Sequence, residues 1–347
     1  MGTEPPAPSA DPRTPVVVDA RGLDAAIIAD AAARIRAGHL VAFPTETVYG
    51  LGANALDAEA VARIFAAKGR PSYNPVIAHV ADVAGARALV TDWPESAARL
   101  AERFWPGPLT LVLPARDVVP SIVRARLPSV GVRVPDHPVA LALLRAAARP
   151  IAAPSANRFT EISPTTAEHV ARGLGSRVPL ILDGGPTTVG IESTVLDLST
   201  AVPTILRPGS ITTAMLTEAL GRDVATAESM RGDAPRPAPG MIERHYAPRA
   251  DVWLFDATDV GDVVAALAER QTRQVPGVVG AIWRRPHAIP EVTRVMRLPD
   301  DPIGYARDFY AALHELDAEG TALILLERPP ELPEWAGVRD RVERAAR

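Results

Sequence analysis

The sequence predicts a mixed α/β protein in which a large sheet domain is joined by a proline-rich linker to a small, doubly wound α/β domain. Three observations support this prediction. Short apolar runs alternate with stretches of helical periodicity over residues 17–221. The alternation stops at residues 222–249, where residues 231–240 are rich in proline, alanine and glycine, a composition typical of a semi-extended linker. Alternation resumes over residues 250–347, and 347 residues are enough for two domains.

The first predicted domain contains closely spaced elements. Apolar residues at helical spacing predict helices at residues 23–36, 57–68, 83–90, 94–104, 138–147 and 165–172. Short apolar runs bounded by polar residues, Pro or Gly predict strands at residues 39–43, 76–80, 109–113, 130–134, 151–153, 180–182, 194–198 and 204–206. Thr165 and Glu168 have the spacing of a capping box. Long crossovers followed by closely spaced late strands favour a mixed sheet.

The second predicted domain repeats the alternation on a smaller scale. Strands are expected at residues 251–255, 277–283 and 322–326, and helices near residues 260–269, 305–316 and 333–346. This order is typical of a doubly wound, Rossmann-like unit. Residues 256–259, after its first strand, lack the glycines of a dinucleotide-binding loop.

Composition excludes several classes of protein. Residues 1–16 are rich in Pro, Ala and Asp and carry no basic stretch followed by an apolar run, so they are expected to be a disordered tail rather than a signal peptide. No apolar run reaches membrane-spanning length, and we expect a cytoplasmic protein with no membrane contact. The absence of cysteine excludes disulfides, thiolate metal sites and cysteine nucleophiles. A net charge of −4 provides no global attraction for nucleic acid.

Lys68 is the only lysine among 37 basic residues. A compact ammonium differs from a guanidinium fork, so a site that needs the former would resist replacement by Arg. Lys68 and Gly69 also have the pattern of an ordinary helix end, which is the favoured explanation for this segment in isolation. The alternative is an anion cradle formed by Lys68, Arg70 and Asn74, with Pro71 and Pro75 fixing the chain.

Polar side chains also follow several other predicted strands. They include the hydroxyl-rich turn at residues 43–52, Ser155 with Asn157, Ser193 and Arg207. Each has an ordinary structural explanation as a connection, a helix cap or a solvated strand face. Ligands commonly bind beyond the carboxyl ends of strands, so their joint occurrence favours a binding site for anions.

Seven motifs in this order resemble the YrdC-like domain of L-threonylcarbamoyladenylate synthases. They are FPTETVYGLG (43–52), KGRP with NP (68–75), WPGPLTLVL (105–113), GVRVP (131–135), PSAN (154–157), ESTV (192–195) and LRPGS (206–210). With PGM at 239–241, HYAP at 245–248 and the second α/β unit, the chain resembles the long two-domain form. The resemblance implies a YrdC-like mixed twisted sheet with helices, joined to a small Rossmann-like domain.

The resemblance also implies a reaction. L-Threonine, bicarbonate and ATP, with Mg²⁺ on its phosphates, would give threonylcarbamoyl-AMP and pyrophosphate, which makes the enzyme a nucleotidyltransferase. A separate transferase complex would use the product to form N6-threonylcarbamoyladenosine in tRNA. Direct tRNA binding is expected to be weak or absent.

Matching the family's motifs residue by residue identifies a candidate site. Lys68 and Arg70 are the implied catalytic residues. The implied ATP-side positions are Lys68, Arg70, Asn74, Ser129, Ser155, Asn157, Ser163 and Arg207, with His245 or Tyr246 closing over the cleft. The implied threonine-side positions are Thr47, His79, Arg133, Ala153 and Ser193, with Arg133 as the partner of the carboxylate. No clustered carboxylates identify Mg²⁺ ligands, and phosphates with water could suffice.

Two other functions are compatible with a YrdC-like domain. One is an RNA-binding module with a basic concave surface, although the acidic net charge and the lack of aromatic residues near the arginines disfavour it. The other is a carbamoyl-phosphate-using maturation factor. Such factors carry a zinc finger, which a chain without cysteine cannot form in its thiolate-bound type.

Overall fold

The computed structural model describes residues 15–227, 246–272 and 277–346. The first domain is built from alternating strands and helices. Its strands are β1 (Val16–Asp19), β2 (Val41–Phe43), β3 (Gly50–Asn54), β4 (Ala78–His79), β5 (Leu109–Pro114), β6 (Ser129–Arg133), β7 (Ile151–Ala152), β8 (Leu180–Asp183), β9 (Thr194–Asp197), β10 (Thr204–Arg207) and β11 (Ala225–Thr226). Its helices are α1 (Ala25–Arg36), α2 (Ala58–Lys68), α3 (Val83–Arg87), α4 (Glu95–Phe104), α5 (Pro138–Ala147), α6 (Ala167–Leu174) and α7 (Thr213–Leu220).

Within the described residues these eleven strands form one mixed sheet, in the order β1-β8-β2-β3-β7-β4-β6-β5-β9-β10-β11. Helices cover both faces of the sheet. Helices α1 and α5 pack together on one face, and α2, α4, α6 and α7 contribute to the core on the other. Because both faces are covered, most strand residues are buried. Because the helices cover the faces of the sheet, a binding site can form at the loops that follow the ends of the strands.

Helix α2 shows how local sequence determines an element next to the site. The Asp57 carboxylate accepts hydrogen bonds from the backbone N–H groups of Glu59 and Ala60, at 2.9 and 3.1 Å, which satisfies two donors of the first turn. Gly69 ends the helix with φ of 64°, a left-handed conformation that glycine adopts without a steric penalty. The predicted helix end is therefore present. The side chain of Lys68, in the last turn, is nevertheless buried.

The second domain is a small doubly wound unit, as predicted. It contains β12 (Asp251–Phe255), α8 (Val260–Thr272), β13 (Val279–Trp283), β14 (Arg294–Arg297), α9 (Pro302–Ala318), β15 (Leu323–Glu327), a short 3-10 helix (Pro333–Trp335) and α10 (Ala336–Ala345). Among the described residues, its four strands are all parallel and lie in the order β12-β15-β13-β14.

The two domains share a hydrophobic core. Val48, Ile162 and Ile191 of the first domain pack in one cluster with buried residues of α9 and α10. The backbones approach closely at Gly190, where a Cβ would lie 2.3 Å from the carbonyl oxygen of Ala306. The second domain is thus seated directly against loops of the first. Within the part of the chain that the structure describes, no helix has the length and apolar character to cross a membrane.

Several local predictions differ from the structure. The predicted capping box at Thr165 and Glu168 is wrong, because Thr166 is the N-cap and its hydroxyl accepts from the backbone N–H of His169. The sequence predicted no strand at β1, β3, β11 or β14, and no helix at α7. β1 begins at Val16, inside the predicted tail of residues 1–16, and β11 pairs with β10 inside the stretch assigned to the linker. Residues 231–240 lie outside the described residues.

Candidate active site

A cleft lies where the loops after several central strands meet Tyr246. It opens to solvent, and the cleft together with the adjoining solvent space amounts to about 550 Å³. Backbone hydrogen bonds fix its walls, since Tyr49 N donates to Pro164 O at 2.9 Å and Ala156 N donates to Tyr49 O at 2.8 Å. Its lining residues are Thr45, Thr47, Val48, Gly50, Arg70, Val76, Ile77, His79, Arg133, Ala153, Pro154, Ser155, Glu192, Ser193, Arg207 and Tyr246.

All five residues implied for the threonine side line this cleft: Thr47, His79, Arg133, Ala153 and Ser193. The strands explain this proximity. His79 on β4 and Arg133 on β6 are register partners in a parallel pair. Ala153 immediately follows β7, which pairs with β4 from the other side. Residues far apart in the sequence are therefore brought together by strand pairing.

Arg133 is held in a defined orientation. Its Nη1 and Nη2 both donate to Thr47 Oγ1 at 3.1 Å, and its Nε donates to the carbonyl oxygen of Gly107 at 3.1 Å. Its Nη2 also forms an ion pair of 2.6 Å with Glu46 Oε1. Only 3% of Arg133 is exposed, which excludes the explanation that it lies on a solvated strand face. A planar guanidinium fixed in this way is suited to bind a carboxylate.

His79 is neutral in this environment. Burial, together with the neighbouring positive charge of Arg133, lowers the pKa of its imidazole to about 3. A neutral imidazole beside a guanidinium does not add to the repulsion among the cations of the cleft.

Four of the residues implied for the ATP side line the cleft: Arg70, Ser155, Arg207 and Tyr246. Arg70 Nη2 donates to the carbonyl oxygens of Asn74 and Pro75 at 3.2 and 2.8 Å, whereas its Nε has no hydrogen-bond partner among the described residues. Burial, assisted by Arg207, lowers the pKa of Arg70 to about 10. Crowded, desolvated cations that lower each other's pKa are the environment that a bound anion would relieve.

Lys68 does not line the cleft. Its buried ammonium donates to the carbonyl oxygens of Ser155 and Asn157, at 2.7 and 2.5 Å, and to Asn157 Oδ1 at 3.3 Å. Burial and the charge of Arg70 lower its pKa well below the ordinary range. Lys68 therefore holds the loop of residues 154–157 through its ammonium instead of lining the cleft, and its implied catalytic role stays a prediction.

Three further implied residues are not among those that line the cleft but hydrogen-bond to its neighbouring residues. The carbonyl of Asn74 binds Arg70, Asn157 binds Lys68, and the Ser163 hydroxyl donates to Glu192 Oε1 at 2.6 Å. Ser129 is not brought to the cleft, because it lies at the start of β6, about 13 Å along the strand from Arg133. His245 lies outside the described residues, and Tyr246 is the implied lid residue that the structure places in the cleft.

Two buried carboxylates and an arginine that had no predicted role lie in or beside the cleft. Glu46 pairs with Arg133, and Glu192 pairs with Arg341 at 2.7 Å. Both glutamates lie inside recognised motifs, which was the available signal. Arg341 offered none, because residues 339–344 have the charge pattern of an ordinary solvated helix face.

The described residues hold no group of three or more His, Asp or Glu side chains that could bind a metal ion. Glu192 is the carboxylate that lines the cleft in this part of the chain, and its oxygens accept from Ser163, Tyr310 and Arg341. A divalent cation in this cleft would therefore have to be held largely by ligands other than these side chains.

Comparison with known proteins identifies the family of the chain. A family model described as "Telomere recombination" matches residues 33–209, and the model of the threonylcarbamoyl-AMP synthase C-terminal domain matches residues 211–347. The threonylcarbamoyl-AMP synthase of Pyrococcus abyssi is 42% identical over 91% of this chain and 93% of its own. That of Schizosaccharomyces pombe is 37% identical over 88% and 84%, respectively.

The fold agrees with these relatives. The crystal structure of P. abyssi Sua5 complexed with L-threonine superposes with a TM-score of 0.85 at 42% identity, over 92% of this chain and 94% of that one. The match spans both domains, as the sequence resemblance implied. The chain belongs to the threonylcarbamoyl-AMP synthase family, in its long two-domain form.

Proposed function

We propose that this chain condenses L-threonine, bicarbonate and ATP to threonylcarbamoyl-AMP and pyrophosphate. The observation that carries the proposal is the cleft itself, in which the five threonine-side positions and two of the ATP-side arginines line one opening. The family assignment agrees with this activity, and a relative of the same fold binds L-threonine.

Arg133 is the proposed partner of the threonine carboxylate. Its guanidinium is buried and fixed by Thr47 and Gly107, so little side-chain freedom is lost when a carboxylate binds. The Thr47 hydroxyl beside it and Ser193 across the cleft can bind the remaining polar groups of the amino acid.

Arg70 and Arg207 are the proposed partners of the phosphates. Both are buried, both line the cleft, and neither is paired with a carboxylate within the described residues at ion-pair distance. The threonine carboxylate, bicarbonate and the triphosphate are all anions and repel one another. The positive charges of Arg70 and Arg207 would offset this repulsion and allow the three anions to bind in one cleft.

The proposed chemistry proceeds in two steps. The threonine amine takes up bicarbonate with loss of water to form a carbamate. A carbamate oxygen then attacks the α-phosphorus of ATP, and the bond to pyrophosphate breaks. Neither step requires a nucleophilic side chain, so catalysis would rest on positioning and charge neutralisation. By this reaction the enzyme is a nucleotidyltransferase.

Mg²⁺ is proposed to arrive bound to ATP, because the described residues contain no side-chain cluster that could hold it alone. It would offset phosphate charge. We further propose that the enzyme acts in the cytoplasm, where ATP is available, and passes its product to a separate tRNA threonylcarbamoyl transferase complex. Direct tRNA binding is expected to be weak.

The test is incubation of the purified chain with ATP, bicarbonate and L-threonine, followed by measurement of pyrophosphate and of threonylcarbamoyl-AMP by mass spectrometry. Pyrophosphate release should require both threonine and bicarbonate. Pyrophosphate release that does not depend on threonine would refute the proposal. RNA binding by a chain that shows no threonine-dependent release would favour the RNA-binding alternative. An Arg133→Met variant should need a higher threonine concentration to reach the same rate of pyrophosphate release.

A further inference from the structure

Arg341 on α10 extends from the second domain to the wall of the cleft. The side chain is fully buried, with no exposed surface. Its Nε donates to Glu192 Oε2 at 2.7 Å and its Nη2 to the carbonyl oxygen of Glu192 at 3.2 Å. Its Nη1 donates to the carbonyl oxygen of Pro208 at 3.0 Å. One guanidinium thus joins the two segments that carry Ser193 and Arg207.

Glu192 connects this arginine to several other groups. Its Oε1 accepts from Ser163 Oγ at 2.6 Å, and its Oε2 also accepts from the Tyr310 hydroxyl at 3.2 Å. Burial opposes ionisation of this carboxyl, but Arg341, Arg207 and the Ser163 hydrogen bond outweigh burial and lower its pKa to about 2. Glu192 is therefore a fixed anion in the cleft wall.

Ser193, the residue after Glu192, binds the side chain of Arg207. The carbonyl oxygen of Ser193 accepts from Arg207 Nε and Nη2 at 3.2 and 3.0 Å, and Ser193 Oγ accepts from Nη2 at 3.3 Å. Arg207 thus donates to Ser193, while the charge of Glu192 is paired with Arg341. Without Arg341, Glu192 would be left to the attraction of Arg207, the other arginine that lowers its pKa.

Arg341 also contacts the ring of Tyr246. The guanidinium carbon of Arg341 lies 5.5 Å from the centre of the Tyr246 ring, within the range of a cation–π contact. The Tyr310 ring lies 5.8 Å from it. Helix α10 also touches the loop after β10, where a Cβ on Gly337 would lie 2.7 Å from the carbonyl oxygen of Gly209.

We infer that Arg341 is a positioning residue through which the second domain completes the cleft: its contacts with Glu192 and Pro208 place Ser193 and Arg207 for the substrates. The inference rests on the proposed function, because it concerns the binding of ATP and threonine at that same site. It assigns the second domain an indirect part in substrate binding, through the first-domain residues that Arg341 positions.

The test compares Arg341→Met with Arg339→Met. Arg339 lies on the same helix but pairs with Glu331 and Glu343, away from the cleft. We expect Arg341→Met to raise the KM for ATP about tenfold to a hundredfold, the range for misplacing a charge-assisted hydrogen bond, with a smaller change in kcat. The KM values of Arg339→Met should equal those of the wild type.

Arg341→Lys provides a second variant in case Arg341→Met does not fold. A lysine retains the charge opposite Glu192 but cannot reproduce the fork that also reaches Pro208, so the KM for ATP should again rise. A folded Arg341 variant with unchanged KM values for ATP and threonine would overturn the inference. The wild type is assayed in parallel to distinguish failure of the inference from failure of the proposed function. If the proposed function is wrong, the wild type itself will form no threonylcarbamoyl-AMP.

Discussion

Replacing Gly337 by Ala tests the contact between α10 and the loop that carries Arg207. A Cβ at this position would lie 2.7 to 2.9 Å from three backbone atoms of Gly209, whereas ordinary contacts begin near 3.4 Å. Backbone atoms cannot rotate away, so the helix or the loop must shift, and such overpacking typically costs about 1–3 kcal/mol. Alanine also favours the helix by about 1 kcal/mol over glycine, which offsets part of this cost.

Gly261→Ala is the matched control. Gly261 lies in α8, is exposed, and has no neighbouring atom within 4 Å of a Cβ, so it retains the helix gain without the clash. The free energy of unfolding of Gly337→Ala should therefore be about 1–3 kcal/mol below that of Gly261→Ala, the range given for overpacking. Urea denaturation followed by circular dichroism and tryptophan fluorescence measures this difference.

The displaced loop should also affect function. Since Gly209 lies two residues after Arg207, its movement is expected to raise the KM for ATP in Gly337→Ala but not in Gly261→Ala. Equal stability of the two variants would refute the reasoning from the Gly209 contact. A stability loss with an unchanged KM for ATP would refute the link between this contact and the cleft.

Three further predictions concern the buried ionisable groups. Lys68→Ala should lower pyrophosphate release by about a hundredfold, the cost of misplacing the loop that carries Ser155, while circular dichroism shows a folded chain. Lys68→Arg should not restore release, because a planar fork cannot donate to three converging oxygens. A Lys68→Arg variant with full turnover would contradict this role. Arg133→Met should raise the KM for threonine more than the KM for ATP. It should also lower the free energy of unfolding by about 3–5 kcal/mol, because it leaves the Glu46 carboxylate buried and unpaired. Adding Glu46→Gln should restore part of the stability but not the threonine affinity, and restored affinity would exclude direct binding of the threonine carboxylate by Arg133. His169 and His314 stack across the domain interface with ring centres 3.8 Å apart, and burial lowers their pKa values to about 3 and about 4 from 6.5. Below pH 6.5 the unfolded chain binds protons that the folded chain does not. The contribution of each neutral ring to the free energy of unfolding should therefore be fully present above pH 6.5 and fall by at most about 1.4 kcal/mol per pH unit towards pH 4. In urea denaturation between pH 7.5 and 4.5, the free energy of unfolding of His314→Asn should depend less steeply on pH, and an unchanged dependence would exclude this ring as a contributor.

Long, strongly periodic segments were predictable from the sequence. The helix at residues 138–147 coincides with α5, whose apolar spacing and N-terminal Pro138 agree with its burial and start. The strands predicted at residues 109–113 and 251–255 also correspond to β5 and β12. In these segments, local preference and tertiary packing favour the same structure.

Short strands and helix caps were not predictable in the same way. β3 lies in a glycine-containing segment, Gly50–Asn54, that forms a strand because β2 and β7 pair with it on either side. Thr165 and Thr166 are equally suitable as caps, and the backbone geometry at the start of α6 selected the second. Pairing partners distant in the sequence supply the free energy in such cases, so the local pattern carries little information.

The motifs predicted nine of the residues that line the cleft. They did not specify which of the other implied side chains would be bound up in contacts within the protein. Lys68 stood out in the sequence, yet tertiary structure directs its ammonium to the carbonyl oxygens of Ser155 and Asn157, because these residues lie across from the end of α2. Arg341 had no sequence signal, and it comes to support the cleft-lining Glu192 only because α10 packs against the first domain. A side chain's role depends on which partners surround it after burial, and those partners are brought together by contacts between elements that the linear pattern does not contain.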